Sequence, residues 1–462
     1  MNTIEHDDTT AGPAASTTTD PLVREPTGRI GRVTALSMTV GAVAALILAV
    51  VVFEGATEPV VTGVVLLAFA ASWAMLAALS VRLTDRPQLW ALVPAGIMGG
   101  LGVASLVLRP GDDALSTLSW VWPVGLLALA AWMTVQSRRS LPGWSRRVVL
   151  SPILGLMVVG SVGGAYERVR ESQDRSTYDM PGDLVDVGAH RMHIHCTGTG
   201  SPTVVLEDGL GEGSTRMSGW IAPAVAESTR VCVYDRAGRG WSEPGPDGAD
   251  PLAVVDDLHT LLERHGEKGP FVLAGHSSGG VYVQAFAATH PDEVAGMVLI
   301  DSQPAEAFTG LPDYPAFYSG FRKASGLASP AARFGVMRLL HATDGAGLPT
   351  DQRDEARALA STAGHNRSFR DELAALPAVM ERARSLTALG DEPLIVLTAE
   401  KDAQTGWLPL QDEMALLSTN SAHRAFPDAT HSSFVETEAG AATTSDAIAD
   451  VVEAVRTHSQ LP

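Results

Sequence analysis

The chain has 462 residues, a formal net charge of −19 and 45% hydrophobic residues, so it is long enough for two domains or more. Ten basic and ten acidic residues precede residue 166, whereas 23 basic and 42 acidic residues follow it; this confined acid excess argues against nucleic acid or anionic headgroups as partners of the second part. The two cysteines, Cys196 and Cys232, are too few for a disulfide-rich scaffold and have no metal-ligand spacing.

Residues 1–29 are rich in Thr, Asp, Ala and Pro, the composition of a disordered tail. A transmembrane region is expected over residues 30–165, where five charge-free apolar runs occur: 33–53, 60–81, 89–108, 115–135 and 148–165. Each is close to the length that crosses a bilayer, and none has the polar face of a soluble core helix. A signal peptide accounts for one such run but not for five in succession. Arg24, Arg29 and Arg32 precede the first run; the connections then hold no basic residue, Arg82 and Arg86, Arg109 alone, and last Arg138, Arg139, Arg146 and Arg147. That alternation places the N-terminus in the cytoplasm of a cell-membrane protein, and five spans leave the remainder on the outer side. With no ionisable group inside a run, the bundle reads as an anchor rather than a transport path. Gly96-x-x-x-Gly100 and Gly160-x-x-x-Gly164 permit close helix contacts.

Residues 166–183 are charged and polar, a linker, and residues 184–458 carry a soluble α/β pattern. Strands are expected over 184–187, 190–196, 203–206, 230–234, 271–274, 294–300, 393–398 and 422–426. Helices are expected over 252–265, 281–289 and 444–456. Strands alternating with helices indicate a mostly parallel sheet covered on both faces. The stretch from Phe271 runs into Gly275-His276-Ser277-Ser278-Gly279, the strand–turn–helix order of a nucleophile elbow.

A serine hydroxyl needs a base to take its proton and a third group to hold that base. Downstream, Asp402 follows the 393–398 strand and His431 follows the last strand, giving the order Ser277, Asp402, His431. Asp301 and Glu400 also stand at strand ends and are rivals for the acid. Two backbone N–H groups must meet a developing oxyanion: Ser278, next to the nucleophile, and Leu210, in the glycine-rich segment after the 203–206 strand.

Four ordered stretches, Leu206-Glu207-Asp208-Gly209-Leu210-Gly211, Tyr234-Asp235-Arg236-Ala237-Gly238-Arg239-Gly240-Trp241-Ser242, Gly275 to Gly280, and Leu299-Ile300-Asp301-Ser302, resemble the α/β-hydrolase superfamily over about residues 178–457. They are closest to its esterase, haloperoxidase-like and prolyl-iminopeptidase-like branch. The resemblance implies a mostly parallel eight-stranded sheet, a helical lid, the triad above, and neither cofactor nor metal. Many members have His-Gly where this chain has Asp208-Gly209, and Ser277 at the elbow argues against the aspartate-nucleophile epoxide hydrolases and dehalogenases.

The lid is expected over about 303–389, where Tyr314, Phe317, Tyr318 and Phe321 fall at helical spacing; they either pack the lid or line a pocket. Trp220 and Trp407 read as structural. In the sheet order that the resemblance implies, Cys196 and Cys232 lie on antiparallel neighbours, open to a disulfide or to two buried thiols. The expected protein is an α/β-hydrolase behind an all-α transmembrane bundle of about five helices. Its expected partners are the lipid bilayer and a small-molecule or lipid ester, with no nucleic acid. It would cleave that ester (or an amide), or pass the acyl group to another acceptor, unless it is a non-catalytic receptor or scaffold.

Overall fold

The structure, a computed structural model, describes residues 29–141, 150–246 and 248–462. The tail expected over 1–29 lies outside these residues except for Arg29. The N-terminal region is helical: α1 (Arg29–Ile47, continued by a π turn, Leu48–Val52), α2 (Glu58–Leu83), α3 (Leu92–Leu108, after a 3-10 turn at Leu89–Ala91), α4 (Asp112–Leu118), α5 (Trp122–Ser140) and α6 (Ser151–Thr177). Ile30, Trp73, Leu76 and Met133 are buried between them, while Leu36, Leu46, Leu101, Val107 and Val124 point outward. An apolar outer face on an apolar core is the pattern of helices solvated by lipid.

Three segments are long and apolar enough to cross a membrane, Arg29–Val52, Glu58–Leu83 and Leu89–Leu108, with a fourth if α4 and α5, bent by 48°, form one span. Length and hydropathy alone thus count three or four spans among the described residues where about five are expected, and the difference lies in the fourth and fifth runs. The 115–135 run breaks into two helices ahead of Pro123. The apolar part of α6 gives way to charge at Glu167, and the start of its run is not described. Nor is 166–183 simply a linker: α6 continues to Thr177, its last turns tied by Arg168–Glu171 (3.0 Å) and Arg175–Glu171 (2.7 Å) pairs.

Beyond it lie β1 (Asp183–Asp186), β2 (Arg191–Thr197), β3 (Val204–Glu207), α7 (Ile221–Ala226), β4 (Val231–Tyr234), α8 (Ala253–His265), β5 (Phe271–His276), α9 (Gly279–Thr289) and β6 (Val294–Ile300). After the insertion come β7 (Leu394–Ala399), α15 (Trp407–Ala415), β8 (Ser421–Phe426), α16 (Ser433–Glu436) and α17 (Glu438–Thr457). The eight strands form one sheet in the order β1-β2-β4-β3-β5-β6-β7-β8. β1–β2 and β2–β4 are antiparallel, and the remaining neighbours pair in parallel. Successive residues of each strand feed opposite layers: Val205, Leu273, Met297 and Val396 face α8 and α9, while Leu206, Val272, Val298 and Leu397 face α7 and α17. Cys196 and Cys232 are directly opposed on β2 and β4 and form a disulfide.

The insertion between β6 and β7 comprises α10 (Ala307–Gly310), α11 (Tyr314–Arg333), α12 (Val336–Leu340), α13 (Thr350–Ala360) and α14 (Ala363–Arg384). It rests on one end of the N-terminal bundle. Arg333 pairs with Glu58, the first residue of α2, and with Asp112, the first of α4, at 2.8 Å; Arg367 reaches Asp112 at 2.7 Å. Arg338 pairs with Glu167 and Asp174 of α6 at 2.7 and 2.9 Å. The Phe334 ring packs edge-on against Trp122, with centroids 4.8 Å apart. Gly160 and Gly164 permit that approach, since a Cβ at either would meet Phe334 or Trp122, whereas Gly96 and Gly100 face open space.

Candidate active site

The site forms at the carboxyl ends of β3, β5, β6 and β7. Six consecutive buried residues of β5 end at His276, and Ser277 follows at φ 55°, a left-handed conformation that a side-chain-bearing residue adopts only when its surroundings hold it there. The Ser277 N–H donates to the Ile300 carbonyl (3.1 Å), and the Ser277 carbonyl accepts from Gln303 N–H (2.9 Å). A Cβ at Gly275 would lie 2.6 Å from the Gly279 backbone, and one at Gly279 would lie 2.4 Å from the Glu207 carbonyl oxygen. Only glycine fits at both positions, so the turn is sharp enough to lift the serine from the sheet.

The ring of His431 stacks on that of His276, with centroids 4.7 Å apart. Its Nδ1 meets Oδ2 of Asp301 at 2.6 Å. Asp301 follows β6 directly, is buried, and is itself in the left-handed region at φ 41°. Its other oxygen, Oδ1, accepts the indole N–H of Trp407 (3.0 Å) and the Ala399 N–H (3.1 Å). The expectation that Asp402 would hold the ring is therefore corrected. The Asp402 carboxylate is exposed and accepts the backbone N–H of His431 at 3.1 and 3.2 Å, so it holds the loop while Asp301 holds the imidazole. The strands explain the difference. β6 lies beside the elbow strand, with Ile300 paired to His276, so an acid one residue on stands at the elbow; Asp402 stands three residues past the end of β7. Burial pulls the His431 pKa down, but the hydrogen bond and charge of Asp301, with Glu212 and Asp402 behind it, hold it above the ordinary histidine value.

Leu210 and Ser278, the expected oxyanion donors, lie on the loop after β3 and directly after Ser277. A Cβ at Gly209 would lie 3.2 Å from the Cβ of Ser277, so this loop faces the serine. The neighbouring amides are engaged, Gly209 N–H to Glu212 (3.1 Å) and Gly211 N–H to Glu372 (3.3 Å), while those of Leu210 and Ser278 donate to no protein acceptor among the described residues. Unengaged backbone N–H groups are what a developing negative charge requires.

A buried ion network that the sequence reading did not find supports this loop. Arg236 donates to the Asp208 carbonyl (2.8 Å), the Gly209 carbonyl (2.7 Å) and the Glu372 carboxylate (2.9 Å), and also pairs with Glu207. Arg239 makes two bonds to Glu372, at 2.9 and 2.7 Å. Glu372 belongs to α14, so the insertion itself braces the loop; burial pushes its carboxyl up, but the two guanidinium groups hold it below the usual range. Burial raises Glu207 to about 7, and with Glu212 nearby it pushes Asp208 well above the carboxylate range. Neither Asp208 oxygen has a partner among the described residues, which fits a neutral acid where the resembling sequences carry histidine. Glu212 is held low by Arg216 and His276 despite its burial, and it accepts from His276 Nδ1 at 3.3 Å. Arg236 and Arg239 lie in a quoted motif, but nothing in the sequence paired them with Glu372.

The four aromatic residues of α11 divide. Tyr314 is buried against Phe308 and accepts from Gln303, and the Tyr318 hydroxyl donates to the Leu373 carbonyl, so both pack the insertion. Phe317 is exposed. Phe321 alone of the four lines the cavity of about 410 Å³ that begins at Leu210 and Gly211. Trp220, whose indole donates to the Gly347 carbonyl, is structural, whereas Trp407 is part of the site because it orients Asp301.

The fold and this arrangement define a hydrolase-type α/β protein, and comparison with known proteins agrees. Residues 202–438 match the family model described as alpha/beta hydrolase fold, and the chain belongs to that family. An uncharacterised protein of Schizosaccharomyces pombe is 33% identical over 170 residues, 30% of this chain and 31% of that one. The lipase LipV of Mycobacterium tuberculosis is 40% identical over 83 residues, 17% of this chain and 29% of that one. In the crystal structure of a putative lipase from Acinetobacter baumannii, 63% of this chain superimposes on 97% of that one, with a TM-score of 0.50 and 19% identity, a likeness of fold. The chain spans between 20% and 48% of the length of the first three curated relatives it matches.

Proposed function

We propose that the chain is a membrane-anchored serine hydrolase that cleaves a carboxylic ester through Ser277, His431 and Asp301. The observation that carries this reading is the 2.6 Å bond between His431 Nδ1 and Asp301, on an imidazole whose ring lies against His276, the residue before the elbow serine. With Nδ1 protonated against Asp301, Nε2 is the basic nitrogen. It takes the Ser277 proton as the hydroxyl attacks the ester carbonyl, and the N–H groups of Leu210 and Ser278 receive the oxyanion. The imidazolium then protonates the leaving alcohol. Water, deprotonated by the same nitrogen, releases the acid and restores the serine. The Ser277→Ala variant should hydrolyse activated esters slower by a factor on the order of 10⁶. Equal turnover by variant and wild type would remove the assignment.

An outward catalytic domain is supported by which helix ends meet the insertion. Glu58, Asp112 and Glu167 are at that end, with the 53–57 and 109–111 connections, where Arg109 is the lone basic residue. Arg29, Arg32, Arg82, Arg86, Arg138 and Arg139 belong to the opposite end, which the positive-inside rule assigns to the cytoplasm. α1, α2, α3, the α4–α5 pair and α6 then make five antiparallel passes, and the catalytic domain lies outside the cell membrane. The Cys196–Cys232 disulfide supports an oxidising compartment.

A further inference from the structure

The geometry points to a membrane lipid ester as the substrate, its acyl chain entering the cavity beside Leu210 sideways from the outer leaflet through a mouth built on α12. This rests on the serine-hydrolase reading and adds to it a substrate class and a route. The cavity of about 410 Å³, within the size range of ligand pockets, is lined by Leu210 and Gly211 of the loop and by the apolar Phe321, Met337, Leu340 and Phe369. Its lining also carries charged side chains such as Arg216 and Asp344. Met337 and Leu340 come from α12, and the position of this five-residue helix relative to the membrane is set on both flanks. Two residues before it, Phe334 lies over Gly160 of α6, where a Cβ would come within 3.2 Å of its ring, and against Trp122 at the start of α5. Within it, Arg338 turns back to Glu167 and Asp174, where α6 changes from apolar to charged. The helix is thus held at the level where α6 passes from apolar to charged residues.

Its two remaining side chains face outward, Leu339 78% exposed and Val336 41%, and Leu340 is itself 63% exposed. Three large apolar side chains on five residues suit headgroup–acyl depth, where amphipathic segments bury their apolar face. Leu340 both lines the cavity and is exposed, so its side chain joins the outward apolar face of the helix to the cavity wall. The insertion is also fixed in this position by the Arg333, Arg338 and Arg367 pairs, which hold the mouth against the bilayer.

The test uses the full chain in phosphatidylcholine vesicles with two substrates, a long-chain diacylglycerol in the bilayer and water-soluble p-nitrophenyl butyrate. The Leu339→Glu variant should lose about tenfold on the diacylglycerol, because a charge disfavours interfacial burial, while staying within about twofold on the soluble ester. An equal loss on both substrates, or none on either, overturns the inference. So does a wild type that cleaves the soluble ester and ignores the lipid, an outcome that leaves the hydrolase reading intact. A direct reading of depth comes from Leu339→Cys carrying a fluorophore, since both native cysteines are in the disulfide. Quenching by lipids labelled near the headgroup is expected, and quenching by aqueous iodide alone overturns the inference. If the wild type cleaves neither ester and takes no fluorophosphonate, the serine-hydrolase reading fails and this inference fails with it.

Discussion

At Asp301 the two carboxylate oxygens have separate duties: Oδ2 faces the imidazole, and Oδ1 is fixed by Trp407 and the Ala399 amide. A carboxylate anchored in this way fixes both the tautomer and the pKa of His431. Because the base works only when neutral, kcat/KM should fall as pH drops through a His431 pKa held above the usual 6.5. Asp301→Asn removes the raising charge, so the acid limb should move to lower pH while the plateau falls by about 10³ to 10⁴, as expected when the wrong tautomer is held. Asp402→Asn keeps an oxygen to accept the His431 N–H and removes only the last of the charges that raise the ring pKa, so it should cost less than about tenfold and move the acid limb less than Asp301→Asn does. Parallel pH–rate profiles of the three proteins decide this, and a limb that stays in place in Asp301→Asn contradicts the assignment. At this scale the elbow turn at Ser277 and the loop that carries His431 were legible from the sequence, as a strand–turn–helix motif and a loop after the last strand. The acid was not. Asp301 and Asp402 follow adjacent strands, and which one reaches the ring depends on how far each loop carries its carboxylate.

The insertion does more than cover the site, because α14 supplies Glu372 to the arginines beneath the oxyanion loop. Glu372→Gln keeps the shape and leaves two buried guanidinium groups short of charge, a change that costs about 3–5 kcal/mol when one partner of a buried pair is lost. Thermal unfolding in detergent should show that loss, and kcat should fall with it as the Leu210 N–H loses its fixed position. A variant as stable and as active as wild type would mean that the network does not position the loop. Strands and helices were legible at this scale: alternating strand side chains serve two layers, and α8 stops at Gly266, φ 87°. The pairing of Glu372 with Arg236, 136 residues apart, was not, because no local pattern records which elements approach. The straight run of α6 through the charged 166–177 stretch was missed for a related reason, as polar composition alone does not separate a loop from a helix tied by i,i+4 pairs.

Across the whole molecule, apolar runs and arginine placement announced a membrane bundle, and the contacts of α11, α12 and α14 with its end join the two halves into one unit. The topology predicts that Ser459→Cys, near the exposed C-terminus, reacts with a membrane-impermeant maleimide on intact cells. Reaction only after lysis would put the hydrolase in the cytoplasm and the basic flanks outside. The shapes of the fourth and fifth runs were the part least legible, because the break ahead of Pro123 and the charged end of α6 do not show in apolar composition. The central claim is that His431, oriented by Asp301, activates Ser277, and the rate at which a fluorophosphonate labels the membrane-embedded protein tests it most directly. The account predicts rapid labelling of the wild type and of Asp402→Asn, labelling slowed by orders of magnitude in Asp301→Asn, and none in Ser277→Ala. Labelling that persists without Ser277, or that is slowed as much by Asp402→Asn as by Asp301→Asn, would contradict it.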